Sequence, residues 1–221
     1  MMAGYKSISF PDSLRSYHFS GGDRDAFPLL NLNVLWDNRD LKEYAHTGVY
    51  ANISLTQKGM PGSAVDYLRL SADLRTYFPV TRTATLAVRS AFTLSRGRVP
   101  VYDKLYLGYM ERVRGHFFDV YEGDNRFLTS ASFRFPLKKI TWFNLGPMPE
   151  LRNLKFGISA GFFINTGVAW YNGESISGEK FVTGFGGGLH FHLPYINLLR
   201  TEIGFDEEFR PEYIIDLYVD I

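Results

Sequence analysis

Two histidines, His190 and His192, stand two residues apart and would share one face of a strand, so their ring nitrogens could in principle meet one metal ion. Zinc asks for three or four protein ligands, and the pair reads better as polar filling of an enclosed space. Ser90, Ser130 and Ser132 have no nucleophile elbow around them and no His-Asp spacing that suggests a triad. Gly184 to Gly188 is rich in glycine but opens no helix, which removes the phosphate cradle. Glu122 and Asp124 are carboxylates in a polar stretch and suit solvated surface or a nearby cation. Cysteine is absent altogether, which excludes a thiolate metal site, a disulfide frame and a cysteine nucleophile. The expectation is a non-enzyme with no catalytic, metal or cofactor residues.

The 24 basic and 23 acidic side chains leave a net charge of +1, so the basic surface that nucleic acid requires is missing. At 221 residues the chain has the length of one domain. Aromatics reach 16% and glycines number 21, a composition that favours strands.

Elements of period two run through the chain from about residue 29. Leu68, Leu70, Ala72 and Leu74 alternate with Arg69, Ser71, Asp73 and Arg75. Leu86, Val88, Phe92 and Leu94 oppose Thr85, Arg89 and Thr93, and Phe127, Ala131, Phe133 and Phe135 oppose Ser130, Ser132 and Arg134. The longest alternation runs from Leu154 to Trp170, and the last from Tyr213 to Ile221. About nine consecutive strands are predicted, most near the ~9–11 residues that cross a bilayer when tilted. Neighbours in sequence should pair antiparallel. A long connection covers about 96–125, and another is expected from Leu137 to Asn153. The apolar faces hold no charge, whereas the opposite faces mix arginines and carboxylates with glycine, serine and threonine. That division suits a transmembrane barrel with lipid outside and a polar lumen; a soluble β-sandwich or small ligand-binding barrel would also hide one face. No run is long and apolar enough for a spanning helix.

An ordered set of motifs goes further. Val113-Arg114-Gly115-His116 lies in the long connection, Arg134-Phe135-Pro136 ends a strand, Phe163-Ile164-Asn165-Thr166-Gly167 lies within another, and Asp37-Asn38-Arg39-Asp40 precedes Thr47-Gly48. This set resembles the BamA/TamA superfamily of outer-membrane assembly and secretion barrels, the bacterial surface antigens, over roughly residues 30–221. The sequence departs from the family pattern at Tyr109, His116, Ser132 and Asn165, where a second loop glycine, an aromatic and two acids are usual.

The resemblance implies an all-β fold: the C-terminal nine or ten strands of a sixteen-strand up-and-down transmembrane β-barrel in the bacterial outer membrane, with the long connection folded into the lumen. Residues 1–221 are then the C-terminal part of a longer protein; the alternative is a short barrel closed by itself or by oligomerisation. The longer protein's first strands and periplasmic POTRA repeats are expected to lie outside this chain, in keeping with a start (Met1-Met2-Ala3-Gly4-Tyr5-Lys6) that lacks a signal peptide. The implied activity is non-catalytic assembly or translocation of proteins. Its partners would be outer-membrane lipids, client outer-membrane or secreted proteins and accessory assembly proteins, with no nucleic acid and no cofactor. The alternatives are a membrane anchor for a patatin-like or phosphoesterase enzyme, and a solute channel. The resemblance also implies that Val113, Arg114 and Gly115 form a loop tip seated on the inner wall. A guanidinium in a narrow lumen needs acceptors; with Ser132 and Asn165 in place of acids, Glu122, Asp124 or Glu202 are candidate counter-ions beside those two neutral acceptors. Tyr213, Ile215, Leu217, Val219 and Ile221 resemble the C-terminal β-signal of such barrels.

Overall fold

Alternating sequences pair, and in the computed structural model they do so as one antiparallel meander. The structure describes residues 1–11, 13, 17–196 and 198–217. Its strands in chain order are β1 (Met2–Ile8), β2 (Asp25–Asp37), β3 (Gly48–Gly59), β4 (Asp66–Pro79), β5 (Thr85–Gly97), β6 (Leu105–Leu107), β7 (Tyr121–Gly123), β8 (Asn125–Phe143), β9 (Leu154–Trp170), β10 (Val182–His192), β11 (Leu199–Phe205) and β12 (Pro211–Leu217). Ten of them form a sheet in the order β1-β2-β3-β4-β5-β8-β9-β10-β11-β12, and β6 and β7 pair separately inside the long connection. Among the described residues no ladder joins β1 to β12, so the sheet has two edges.

Register fixes what each face carries. Val34 pairs with Ile53, Leu55 with Leu70, Leu70 with Leu94, and Phe133 with Phe162. These side chains form an apolar belt on the outer face, where Val34, Leu94, Phe162, Ile164 and Ile203 are exposed. The opposite, inner face carries Asn33, Asn52, Asp73, Arg89, Ser132, Asn165, His190 and Glu202, many of them hydrogen-bonded to one another or to the connection that covers them. A one-residue slip would exchange the two sets.

Three boundaries differ from the sequence-based expectation. Strand pairing begins at Met2 rather than near residue 29, because β1 takes its ladder from β2 without any apolar alternation of its own. Strand β8 continues to Phe143, so the connection expected from Leu137 shrinks to residues 144–153. Two register shifts, at Pro136/Lys138 and Lys138/Thr141, let it pass a proline and still pair with β9. Beyond Arg134, β8 has β9 as its one partner, and past Gly157, where β10 ends, the two strands form a ribbon that outruns the rest of the sheet. The long connection, finally, is not structureless: it holds a 3-10 turn at Val101–Asp103 and the β6–β7 pair.

Candidate functional site

The connection between β5 and β8 is laid against the inner face by charge and by apolar contact. Lys58 and Arg69 hold Asp103, Arg89 donates to Glu111 at 2.8 Å, and Arg126 donates to the Tyr106 carbonyl at 2.8 Å. Leu107, Val113 and Leu128 make a buried cluster beneath it. The tip is a tight turn, closed by the His116 N–H donating to the Val113 carbonyl at 3.0 Å. Gly115 takes φ +106°, which a side chain would strain, and a Cβ there would also strike the Phe205 carbonyl. The wall answers with glycines of its own. A Cβ on Gly184 would run into the Arg114 carbonyl, and one on Gly204 would lie 2.8 Å from the Gly115 nitrogen. Backbone therefore meets backbone across β10 and β11.

This close seating drops the Arg114 side chain among residues of three strands, β8, β9 and β11. Its Nη1 donates to both carboxylate oxygens of Glu202 at 3.0 and 3.1 Å, its Nε to Asn165 Oδ1 at 3.2 Å, and its Nη2 to Ser132 Oγ at 3.2 Å. The guanidinium carbon Cζ lies 3.7 Å from the centre of the Phe163 ring. Arg114 is 7% exposed and Glu202 3%, so the pair is screened from water and each charge depends on the other. Phe163 was not singled out from the sequence. It was visible there as the one bulky aromatic on the polar face of β9, between Gly161 and Asn165.

Glu122 and Asp124 are not partners of Arg114. Glu122 accepts from the hydroxyls of Tyr106 and Tyr171, each at 2.9 Å, and Asp124 pairs with Lys104 and accepts from the Asn172 N–H. Both sit where the connection rejoins the sheet, and nearer donors have taken them. His116, next to the tip, bridges Asp119 at 2.9 Å and Glu207, in the β11–β12 turn, at 2.7 Å. Burial works against its charged form, but these two carboxylates outweigh burial and raise its pKa above the usual 6.5. The N–H of Phe117 donates to Glu212 at 2.8 Å, a third tie on the same side.

His190 and His192 have separate partners: His190 Nε2 lies 3.1 Å from Glu202, and His192 Nε2 lies 3.2 Å from Ser159 Oγ. Among the described residues no group of three ligating side chains could hold a metal ion. Ser90 contacts Thr129, and Ser130 lies buried in β8. Tyr213, Ile215 and Leu217 point outward and exposed from the edge strand β12, while Ile214 between them is buried; Val219 and Ile221 lie outside the described residues.

The sequence matches the family described as Omp85 superfamily domain over residues 5–213. No curated protein sequence matches the chain. Among solved structures it is similar to BamA from Haemophilus ducreyi lacking POTRA domains 1-3, with TM-score 0.61 and 16% identity, over 88% of this chain and 42% of that one. It is also similar to CdiB from Escherichia coli, at TM-score 0.57 and 15% identity over 87% of this chain and 36% of that one. For CdiB from Acinetobacter baumannii the values are 0.54 and 18%, over 86% of this chain and 32% of that one. The chain thus spans less than half the length of each of these structures.

Proposed function

The chain belongs to the Omp85 superfamily, whose barrels lie in the bacterial outer membrane, and from that premise we propose that it forms the loop-bearing wall of a barrel that assembles or translocates proteins without catalytic turnover. The observation that carries this reading is the Arg114 tip seated on Glu202, Asn165 and Ser132. A long connection drawn onto the inner face by a buried ion pair and by backbone contact at glycines is a costly arrangement for a mere anchor. It occupies the space that a solute channel would leave open. Strands with an apolar belt outside and edges at β1 and β12 need further pairing in lipid, so the ten strands act as part of a larger closed wall. Tyr213, Ile215 and Leu217 present alternate apolar side chains on an edge, the arrangement by which strand addition is recognised, and serve as the assembly signal. Clients are outer-membrane or secreted proteins.

The test is Arg114→Ala introduced at the native locus. Expected is a drop in folded outer-membrane or secreted clients, with the amount of this protein in the membrane unchanged. Unaltered client levels, or solute leakage as the sole phenotype, would overturn the reading in favour of an anchor or a channel.

A further inference from the structure

Glu202 has a second buried neighbour besides Arg114, and that neighbour leads to the opposite end of the sheet. His190 lies on β10, one register row away from Glu202 on the inner face, and is 1% exposed. Its Nε2 is 3.1 Å from Glu202 Oε1, and its Nδ1 is 3.0 Å from the hydroxyl of Tyr44. Tyr44 belongs to the β2–β3 connection, residues 38–47, which lies at the end remote from the Arg114 loop. Two side-chain contacts and one ion pair therefore link the two connections through the interior: Tyr44, His190, Glu202, Arg114.

The chemistry of each group sets the polarity of this chain. A carboxylate only accepts, so the proton shared between His190 and Glu202 resides on Nε2. Nδ1 of the neutral ring is then an acceptor, and Tyr44 donates its hydroxyl proton to it. The direction of every bond is fixed by Glu202, and the bond from the Tyr44 hydroxyl to Nδ1 holds the ring in its orientation toward the carboxylate.

The surroundings are shaped for it. Gly161 stands beside the imidazole, where a Cβ would lie 2.7 Å from the ring, and Gly188 stands beside Glu202, where a Cβ would lie 2.8 Å from its Cγ. Arg134 clamps the Tyr44 segment: its Nη2 donates to the Ala45 carbonyl at 2.6 Å and its guanidinium covers the Tyr44 ring at 4.2 Å. The Tyr44 ring also meets His190 and His192 edge-on, at 5.8 and 4.7 Å between centres. His46 anchors the same segment to Thr85.

We propose that Tyr44 and His190 are positioning residues for Glu202, so that the 38–47 connection at one end of the sheet sets how firmly the Arg114 loop is held from the other. Glu202 shares its Oε1 between His190 and Arg114, so the imidazole fixes the carboxylate plane that Arg114 Nη1 meets. When the 38–47 segment moves, His190 loses its Nδ1 donor, its ring is no longer held in place, and Glu202 becomes free to rotate away from Arg114. The coupling concerns loop position only, and it bears on client handling through the function proposed above.

The experiment compares Tyr44→Phe and His190→Gln with the parent protein in lipid. Phenylalanine keeps the ring under Arg134 and removes only the hydroxyl. Glutamine keeps a donor toward Glu202 and removes the ring nitrogen that Tyr44 uses. Amide exchange at residues 113–117 reads the hold on the loop, and 15N shifts of labelled His190 read the tautomer. Expected are a His190 protonated on Nε2 in the parent and in Tyr44→Phe, and loop exchange in that variant faster by about three- to tenfold, the size of one lost hydrogen bond. His190→Gln should exchange more slowly than His190→Ala, since it retains the bond to Glu202. A proton on Nδ1 in the parent, or unchanged loop exchange in Tyr44→Phe and His190→Ala with strand protection intact, would overturn the coupling. Faster loop exchange with normal client levels would leave the coupling standing and remove the functional role proposed for the loop.

Discussion

Arg114 meets Glu202 through a single nitrogen: Nη1 donates to both carboxylate oxygens, while Nε and Nη2 turn to Asn165 and Ser132. The fork is divided over three strands instead of being spent on one carboxylate. Charge thus comes from one residue and orientation from two neutral ones, which is how the tip is anchored where the family pattern would place two acids. Replacing Arg114 by Ala leaves Glu202 buried with His190 as its remaining hydrogen-bond partner, and breaking a buried pair costs about 3–5 kcal/mol. Amide exchange within residues 98–124 should rise accordingly while the ladders of the sheet stay protected. Arg114→Lys should recover part of the loss, because an ammonium reaches Glu202 but cannot also span Asn165 and Ser132.

Glu202→Gln tests the charge separately from the shape. The amide can still accept from Arg114, but the bond loses its ionic character and falls to roughly half its strength. Loop opening measured by exchange should lie between that of the parent protein and Arg114→Ala. An effect as large as that of Arg114→Ala would mean that charge alone holds the tip.

His116 makes the hold on the tip depend on pH. Its folded pKa is raised above the unfolded 6.5 by Asp119 and Glu207 against the effect of burial. Its contribution is therefore complete below about pH 6.5 and is lost as pH rises through the raised value. Both carboxylates are about half exposed, so the contribution is small, under about 1 kcal/mol. Exchange at Phe117 and Phe118 should be slower, after correction for intrinsic rates, at pH 6 than at pH 9. His116→Gln should remove that difference.

Gly184→Val should unseat the tip from the wall side. The added side chain begins where the Arg114 carbonyl lies, and the obstacle is backbone, so it cannot swing aside. Limited proteolysis is expected to cut within residues 108–120 of the variant while leaving strands β8 to β11 intact. Resistance equal to that of the parent would show that the tip can shift along the sheet without losing Glu202.

The outer face can be tested at Leu70, which lies mid-strand between Leu55 and Leu94. Leu70→Arg puts a charge toward lipid at a cost of about 2–4 kcal/mol near the midplane. Insertion into vesicles, followed by heat-dependent gel mobility, should fall. Ser71→Arg, one residue on and facing inward, should insert far better.

The faces of the sheet were legible because alternation is a local property: Leu70 and Ser71 declare their sides within a few residues. Strand β1 was not legible, since Met-Ala-Gly-Tyr-Lys-Ser-Ile has no alternation and is held by the backbone ladder of β2. At the site, Ser132 and Asn165 stood out by position within motifs, and Glu202 as a carboxylate on a polar strand face. Glu122 and Asp124 misled because nearness in sequence is a poor guide when the loop doubles back; the carboxylate that Arg114 reaches is 88 residues away. Tyr44 carried no sequence signal. Its reach to His190 depends on how a turn folds inward, which no periodicity records.

The ribbon of β8 and β9 has a consequence for how the wall sits in its membrane. Nineteen residues at about 3.3 Å each run to roughly 60 Å, twice the ~30 Å of hydrocarbon that a bilayer offers. Even at a tilt of about 40° the strand rises some 45 Å, so one side of the wall stands taller than the rest. Trp142, Leu145 and Met148, exposed near its summit beside Lys139 and Arg152, are then lifted to the headgroup layer or past it. The molecule has a high side and a low side, and the height difference gives the membrane a fixed direction in which to meet it.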